Sequence, residues 1–191
     1  MGCRGVSGGA VQRGGGGLSA DLRSAWQTSN RVTIGLVRSL PAALWDAPVP
    51  EIPRRTVRTI AAHLHNSRCA WIRILGRQHG IRTPTRVDPR LVTPTGLVAA
   101  LERSGGGIEA LLVLGLEHDG ELPPSKAYVW RNLSLDVAHV LTYFVAHEAH
   151  HRGQIVMIAR QTRHRLPTAV TAALWQWKND ARRNAGRRRN N

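Results

Sequence analysis

The stretch AHEAHHRGQI, residues 146–155, places three histidines and one glutamate within five consecutive positions. Around it, apolar side chains recur every three or four positions, as on one face of a helix: Val140, Phe144, Ile155 and Ile158. His147 and His151 continue this row at the same spacing, so both lie on the face that a helix turns toward a protein core. The stretch therefore predicts an amphipathic helix that carries two inward-facing histidines.

The angular positions on this helix separate the histidines from their neighbours. At about 100° per residue, His151 lies about 40° from His147, whereas Glu148 and His150 each lie about 80° from the centre of the pair. Two neutral imidazoles one helical turn apart can bind one metal ion. The alternative is a pair of core histidines that hydrogen-bond to neighbouring helices, but adjacent buried imidazoles are costly without partners. Metal binding is therefore the favoured interpretation of this pair.

A pair of ligands needs a third, and the earlier segment IAAHLHNSRCAWIRIL, residues 60–75, offers two histidines. His63 lies at the edge of the apolar face of this helix, and His65 lies more than about 120° from the centre of that face, beside arginines. We therefore expect His65 to face solvent. Because helix bundles assemble metal sites from facing helices, the predicted ligands are His63, His147 and His151, with open positions for water or substrate.

The string HExxH at residues 147–151 also suggests a zinc protease, with Glu148 as the general base. The extended metzincin pattern would place glycine at position 154 and histidine at position 157, where this chain has Gln154 and Met157. No glutamate follows Glu148 that could serve as a later ligand, and no clear strand is available to hold a peptide substrate. The protease interpretation is therefore rejected.

The whole chain, 191 residues with 42% hydrophobic residues, suits one compact domain. We expect a disordered glycine-rich leader at 1–18, a helical domain at 19–181 and a disordered arginine-rich tail at 182–191. No apolar run is long enough to span a membrane, and the leader has no secretory signal. Two cysteines, Cys3 and Cys69, form no disulfide scaffold, which suits a cytoplasmic protein.

The pattern of apolar residues, prolines and glycines predicts an all-α fold, a four-helix bundle with an additional C-terminal helix. The expected helices are 19–40, 56–76, 95–116 and 134–161, with Ser134 as the N-cap of the last, and a shorter one follows Pro167. The glycines of SGGG, residues 104–107, predict a kink or break in the third helix.

The formal net charge of +15 and the basic end ARRNAGRRRNN, residues 181–191, allow a second class of function. A non-enzymatic protein could bind nucleic acid through its arginine-rich surface and tail. No helix-turn-helix or zinc-finger spacing supports this alternative, so it ranks below the metal-binding interpretation.

The stretch HEAHHRGQI, together with the earlier AAHLHNSRCAW, resembles the DinB/YfiT-like superfamily over about Ala25 to Trp177. The likeness rests on the histidine pair, the following Arg-Gly-Gln of 152–154, and a tryptophan eight residues after His63, which supports His63 over His65. It implies a four-helix-bundle metalloenzyme, commonly a homodimer, with three histidines and waters around a divalent metal. Nickel or zinc is expected first, with iron or manganese as alternatives. Several relatives are transferases or isomerases that use a low-molecular-weight thiol such as mycothiol or bacillithiol.

Two chemistries follow from an open site of three histidines: stabilising a thiolate for S-transfer, or acidifying a water for hydrolysis. The neighbouring polar residues have alternative roles. Glu148 orients a ligand or forms a surface ion pair, Arg152 orients an anionic substrate or is a solvated or ion-paired helix residue, and His150 lies beside the site as a further candidate. We expect Gly153 to permit close helix approach, and core packing for three tryptophans, rather than a place at a pocket mouth: Trp130, Trp175 and Trp177.

Overall fold

The computed structural model describes residues 15–129 and 131–177. Within these ranges the chain is helical and forms no strand, as the sequence predicts. The helices are α1 (Gly15–Arg38), α2 (Ala42–Trp45), α3 (Val57–Trp71), α4 (Pro94–Leu116), α5 (Val137–Gln161) and α6 (Thr168–Ala173). A π-helical turn, Ile72–Gly76, and a 3-10 turn, Arg77–His79, extend α3. None of the described helices combines the length and apolar character that crossing a membrane requires.

The four long helices pack so that α1 and α3 each contact both α4 and α5. Their apolar side chains form two separate buried clusters, one around Leu36, Leu64, Leu101 and Ile155 and the other around Trp26, Ile72, Ile108 and Phe144. On each of the four helices, buried polar residues lie between the two clusters. We call them the polar layer: Ser29, Thr33, His65, Arg68, Ser104, Glu148, His151 and Arg152. The predicted metal ligands lie at this level of the bundle.

Side-chain caps fix where the two histidine-bearing helices begin. The Thr56 hydroxyl accepts from the backbone N–H of Thr59, and the Thr59 hydroxyl accepts from the Thr56 N–H, so a reciprocal capping box begins α3. Asp136 accepts from two backbone N–H groups at the start of α5. The predicted N-cap Ser134 is therefore wrong. The backbone of 135–137 instead pairs with 120–122, which keeps Asp136 extended until the helix starts.

Helix α4 is continuous through residues 104–107, so the predicted break does not occur. A Cβ atom on Gly105 would lie 2.4 Å from the Asn30 side chain, and one on Gly107 would lie 2.5 Å from Ile72. The glycines let α4 approach α1 and α3 closely, and the packing offsets their helix cost of about 1 kcal/mol each.

The chain ends differ in detail from the expected boundaries. Helix α1 begins at Gly15 rather than at the predicted Ser19. Helix α6 follows Pro167 as expected, but it is short, and Trp175 beyond it is 84% exposed, so the predicted core packing of this tryptophan is wrong. Trp130, residues 1–14 of the leader and the tail at 182–191 lie outside the described residues.

Candidate metal centre

Helices α3 and α5 bring three histidines together: His63, His147 and His151, which we call the histidine trio. Nε2 of His63 lies 3.3 Å from Nε2 of His147, and one nitrogen from each ring lies within 4.8 Å of the others. The His63 ring also lies edge-on to that of His151, with the centroids 4.8 Å apart. The residues that the sequence selected as ligands therefore share one site.

The donor set of the trio fits a divalent metal, and so does the distance between two of its rings. On a tetrahedral zinc with Zn–N bonds of about 2.0–2.1 Å, two nitrogens lie about 3.3–3.4 Å apart, which matches the distance between His63 and His147. Imidazole nitrogen suits zinc, nickel and iron better than magnesium or calcium, which prefer oxygen. The three side chains grade from exposed His63 through half-buried His147 to buried His151, so the site opens to solvent on the α3 side.

Desolvation favours the neutral form of all three rings, which is the form that metal binding requires. Desolvation is the main cause that lowers the pKa of all three rings, and it brings the pKa of His151 to about 4. Repulsion between the rings lowers the pKa of His147 and His151 further, and the charges of Arg55 and Arg86 lower the pKa of His63. At neutral pH each ring therefore has an unprotonated nitrogen to offer.

Neighbouring side chains hold the α5 ligands in place. The Nδ1–H of His151 donates to Oε1 of Gln154 at 2.8 Å, and Nε2 of Gln154 donates to Nε2 of His150 at 3.0 Å. This bond fixes the tautomer of His151 and leaves its Nε2 free to bind a metal. Tyr143 stacks on His147 with centroids 5.8 Å apart. The sequence prediction gave Gln154 no such role, although its spacing of three residues from His151 would have indicated one.

The glutamate of the HExxH string does not face the trio. Both Glu148 oxygens are bound by the Arg68 guanidinium, at 2.6 and 2.9 Å, and the Thr33 hydroxyl donates to Oε2 at 2.7 Å. Glu148 is 1% exposed. The expected surface ion pair is therefore wrong, because α1 and α3 cover this side of α5, and the partners of the Glu148 oxygens are Arg68 and Thr33 rather than a ring of the trio.

Arg152 belongs to the same buried cluster. It donates to the Thr33 hydroxyl at 2.8 Å and lies 3.8 Å from the Glu148 carboxylate. The side chain is ion-paired, as one sequence interpretation held, but it is buried rather than solvated. It reaches toward α1, so it does not face the open side of the trio.

His65 is fully buried, so the expectation that it faces solvent is wrong. Its Nδ1 lies 3.0 Å from the Ser104 hydroxyl, and its Nε2–H donates to the Thr85 carbonyl at 2.9 Å. Helix α4 and the segment around Thr85 cover this face of α3. Cys69 lies beside His65, and burial raises the pKa of its thiol, so it stays protonated. His65 and Cys69 are thus satisfied core residues.

A cavity of about 500 Å³ lies in the groove between α5 and residues 49–60, which include the segment before α3, and His150 and Gln154 line it next to the trio. Gly153 lines it and has open space where a Cβ would stand, so the expected close helix approach at Gly153 is wrong. We call it the groove cavity, and its walls are Val49, Ile52, Arg55, Ile60, His150, Gly153, Gln154, Met157, Ile158 and Gln161.

The fold and the site together define an all-α bundle protein with a candidate metal centre made only of histidines. A family model described as the DinB family matches residues 17–181, and the chain belongs to that family. The resemblance that the sequence motifs indicated is thereby confirmed. Neither a comparison with curated proteins nor one with solved structures found a match.

Proposed function

We propose that this protein is a metal-dependent enzyme that acts on small molecules, with a divalent metal bound by His63, His147 and His151. The observation that carries the proposal is the convergence of three neutral imidazoles from two helices on a site that is open on one side. Structural zinc sites are closed by four protein ligands, whereas catalytic sites keep a position open. Zinc or nickel suits three imidazoles best, iron comes next, and manganese, which prefers oxygen ligands, comes last.

The chain's own residues orient the ligands and leave the open side to the substrate. Gln154 fixes the tautomer of His151, and Tyr143, which accepts a hydrogen bond from Trp71, packs against His147. When bound, the metal supplies Lewis acidity, which lowers the pKa of a thiol or a water that it holds. Because His63 is exposed, a thiol or water could reach the metal from the solvent side of the site.

Between the two chemistries, we propose thiol-dependent S-transfer ahead of hydrolysis. A hydrolase of the HExxH type uses its glutamate as general base, but Arg68 and Thr33 bind both oxygens of Glu148 here. Within the described residues, the single cysteine is Cys69, which is buried and protonated, so the protein would rely on a small-molecule thiol as nucleophile. Because neither Glu148 nor Cys69 can serve as base or nucleophile, we propose a low-molecular-weight thiol as co-substrate.

Metal analysis of the purified protein tests the proposal. We expect about one equivalent of a divalent metal in the wild type and a loss of that metal in His147→Ala and His151→Ala. His139→Ala, at an exposed position on the same helix, is the matched control and should keep the metal. Full occupancy in both ligand variants would refute the site. A screen of thiols with a model electrophile then separates S-transfer, which needs a thiol, from hydrolysis, which does not.

The family likeness also supports a homodimer, and the cysteine content supports a cytoplasmic location, as parts of this proposal. Light scattering on the metal-loaded protein tests the first, and fractionation of cells that make the protein tests the second. A monomer at micromolar concentration would remove the dimer from the proposal without affecting the metal centre.

A second candidate function, binding of nucleic acid, is supported by one cluster. Arg73, Arg77 and Arg82 line a separate cavity of about 420 Å³, and their side chains have no hydrogen-bond or ion-pair partner among residues 15–129 and 131–177. Such a cluster suits phosphate. The test is DNA affinity as a function of salt. A steep loss that becomes shallower in the triple Arg→Gln variant supports this function, and a shallow salt dependence in the wild type refutes it.

A further inference from the structure

We propose that the groove cavity binds an elongated apolar molecule with one anionic group, which Arg55 recognises, and that this molecule is the substrate presented to the histidine trio. That the bound molecule is a substrate rests on the proposed function. The binding site itself stands on the shape, the lining and the charge of the cavity.

The position of the cavity ties it to the trio. Ile60 precedes His63 by three residues on α3, and Gln154 follows His151 by three on α5, so the cavity begins one helical turn from the ligands. Gln154 both lines the cavity and holds His151. From His150 to Gln161 the cavity follows α5 for about 16 Å. A molecule lying in it would therefore end beside the trio.

The walls of the cavity are mainly apolar. Five of its side chains are aliphatic or thioether groups: Val49, Ile52, Ile60, Met157 and Ile158. Two of them, Ile52 and Met157, are 46% and 51% exposed, which leaves apolar surface in water at the mouth. Covering such surface is favourable, and about 500 Å³ falls in the range of about 300–1,000 Å³ found for small-molecule pockets.

Arg55 gives the cavity a positive charge. It is the one charged residue among the lining residues, and no carboxylate lies with it. Arg55 is half-buried as a residue, and its guanidinium makes no hydrogen bond or ion pair within the described parts of the chain. A guanidinium without a partner beside apolar walls favours a carboxylate or a similar anion, which it binds in a bidentate way. Gln161 and His150 add neutral polar groups.

The chain's own remaining segments do not match this cavity. Residues 1–14 contain no aspartate or glutamate and are rich in glycine, and residues 178–191 contain Asp180 as their single carboxylate among basic residues. Neither segment offers an apolar body with an anionic group. A small amphipathic anion satisfies the apolar walls and Arg55 together.

Calorimetric titration with octanoate tests the inference, with octanol and octylammonium as neutral and cationic probes of equal chain length. We expect octanoate to bind about tenfold more tightly than octanol, and octylammonium to bind least. Arg55→Gln should remove the preference for octanoate, whereas Arg54→Gln, outside the cavity, should keep it. Gly153→Leu should weaken all binding at least tenfold by filling the cavity. Gly106→Leu is its control, since Gly106 also lies in a helix with open space around it.

Several outcomes would overturn the inference. Equal affinity for octanoate and octanol, or octanoate binding unchanged in both Arg55→Gln and Gly153→Leu, would show that the cavity does not recognise the anion. A dimer that dissociates in Gly153→Leu without any change in octanoate binding would assign this face to a second copy of the chain.

Metal content, measured on the same samples, keeps the two proposals apart. Neither Arg55 nor Gly153 belongs to the trio, so both variants should keep the metal. Arg55-dependent octanoate binding in a protein that binds no metal would refute the metal-dependent enzyme and leave the anion site standing. A protein that binds metal but shows no preference for octanoate would refute the anion site and leave the metal centre in place.

Discussion

Two polar clusters occupy the same level of the bundle, both with residues on α3 and α5, and they differ in how their polar atoms are satisfied. The first is the histidine trio. The second, which we call the arginine–glutamate network, consists of Asn30, Thr33, Arg68, Glu148 and Arg152. In the network every carboxylate oxygen receives a donor. In the trio, by contrast, ring nitrogens of His63 and His147 lie 3.3 Å from each other.

The difference separates a structural cluster from a ligand site. Buried polar groups that pair completely stabilise one arrangement of the helices, whereas neutral imidazole nitrogens that converge on one point can share a bound cation. The network also orients the trio. Glu148 lies about 100° around α5 from His147, so its bonds to Arg68 and Thr33 set the rotation of α5 that turns His147 toward α3.

The largest expected effect is the loss of the network. Arg68→Met leaves the Glu148 carboxylate buried without its main partner, so we expect the free energy of unfolding to fall by about 3–5 kcal/mol, measured by urea denaturation. Arg23→Met breaks the more exposed pair with Glu109 and should cost about 0–1 kcal/mol. Similar small losses in both variants would show that the network does not hold the bundle together.

The second effect is a gain in unfolding free energy when metal binds, which depends on the trio and not on the arginine–glutamate network. With metal at about 100 times its Kd, the wild type should gain about 2.7 kcal/mol in unfolding free energy. His151→Ala should lose this gain, because it removes a ligand, and His139→Ala should keep it. Paired denaturation curves with metal and with a chelator measure the difference. A full gain in His151→Ala would mean that the metal binds elsewhere.

The periodicity of single helices predicted much of the trio. A spacing of four residues places His147 and His151 on one face whatever surrounds the helix, and the apolar row on α5 shows which face turns inward. His63 could be selected because its helix has a clear apolar face and because the family likeness pointed to it. The helical class followed from the same patterns.

The errors arose where a neighbouring segment decides the outcome. The sequence places His65 on the polar side of its helix and Glu148 at the flank of the apolar row, yet α4 covers the first, and α1 and α3 cover the second. The glycines at 105 and 107 likewise depend on Asn30 and Ile72 across the bundle. Burial of this kind depends on which helices become neighbours, which the pattern of one helix does not contain.

A third effect concerns the residue that links the trio to the groove cavity. Gln154→Leu removes the acceptor of the His151 Nδ1–H and should lower metal affinity by about 10–100-fold, measured by competition with a chelating dye. Gln154→Glu retains an acceptor and should keep the affinity close to that of the wild type. Gln161→Leu, which lines the cavity farther from the trio, is the control. Equal affinity in Gln154→Leu and the wild type would remove this positioning role.

The smallest effect is the pH dependence of the metal-free protein. The pKa of His151 is about 4 in the folded chain and about 6.5 when unfolded, so the unfolded chain takes up the proton first as the pH falls. Stability is therefore complete above about pH 6.5 and is lost toward pH 4, and the loss between pH 7.5 and 6 should stay below about 1 kcal/mol. Urea midpoints at pH 7.5, 6 and 5 measure it. The slope should be smaller in His151→Gln and unchanged in His139→Gln, because His139 is exposed. An equal slope in His151→Gln would show that burial of this ring does not cost the protein stability in acid.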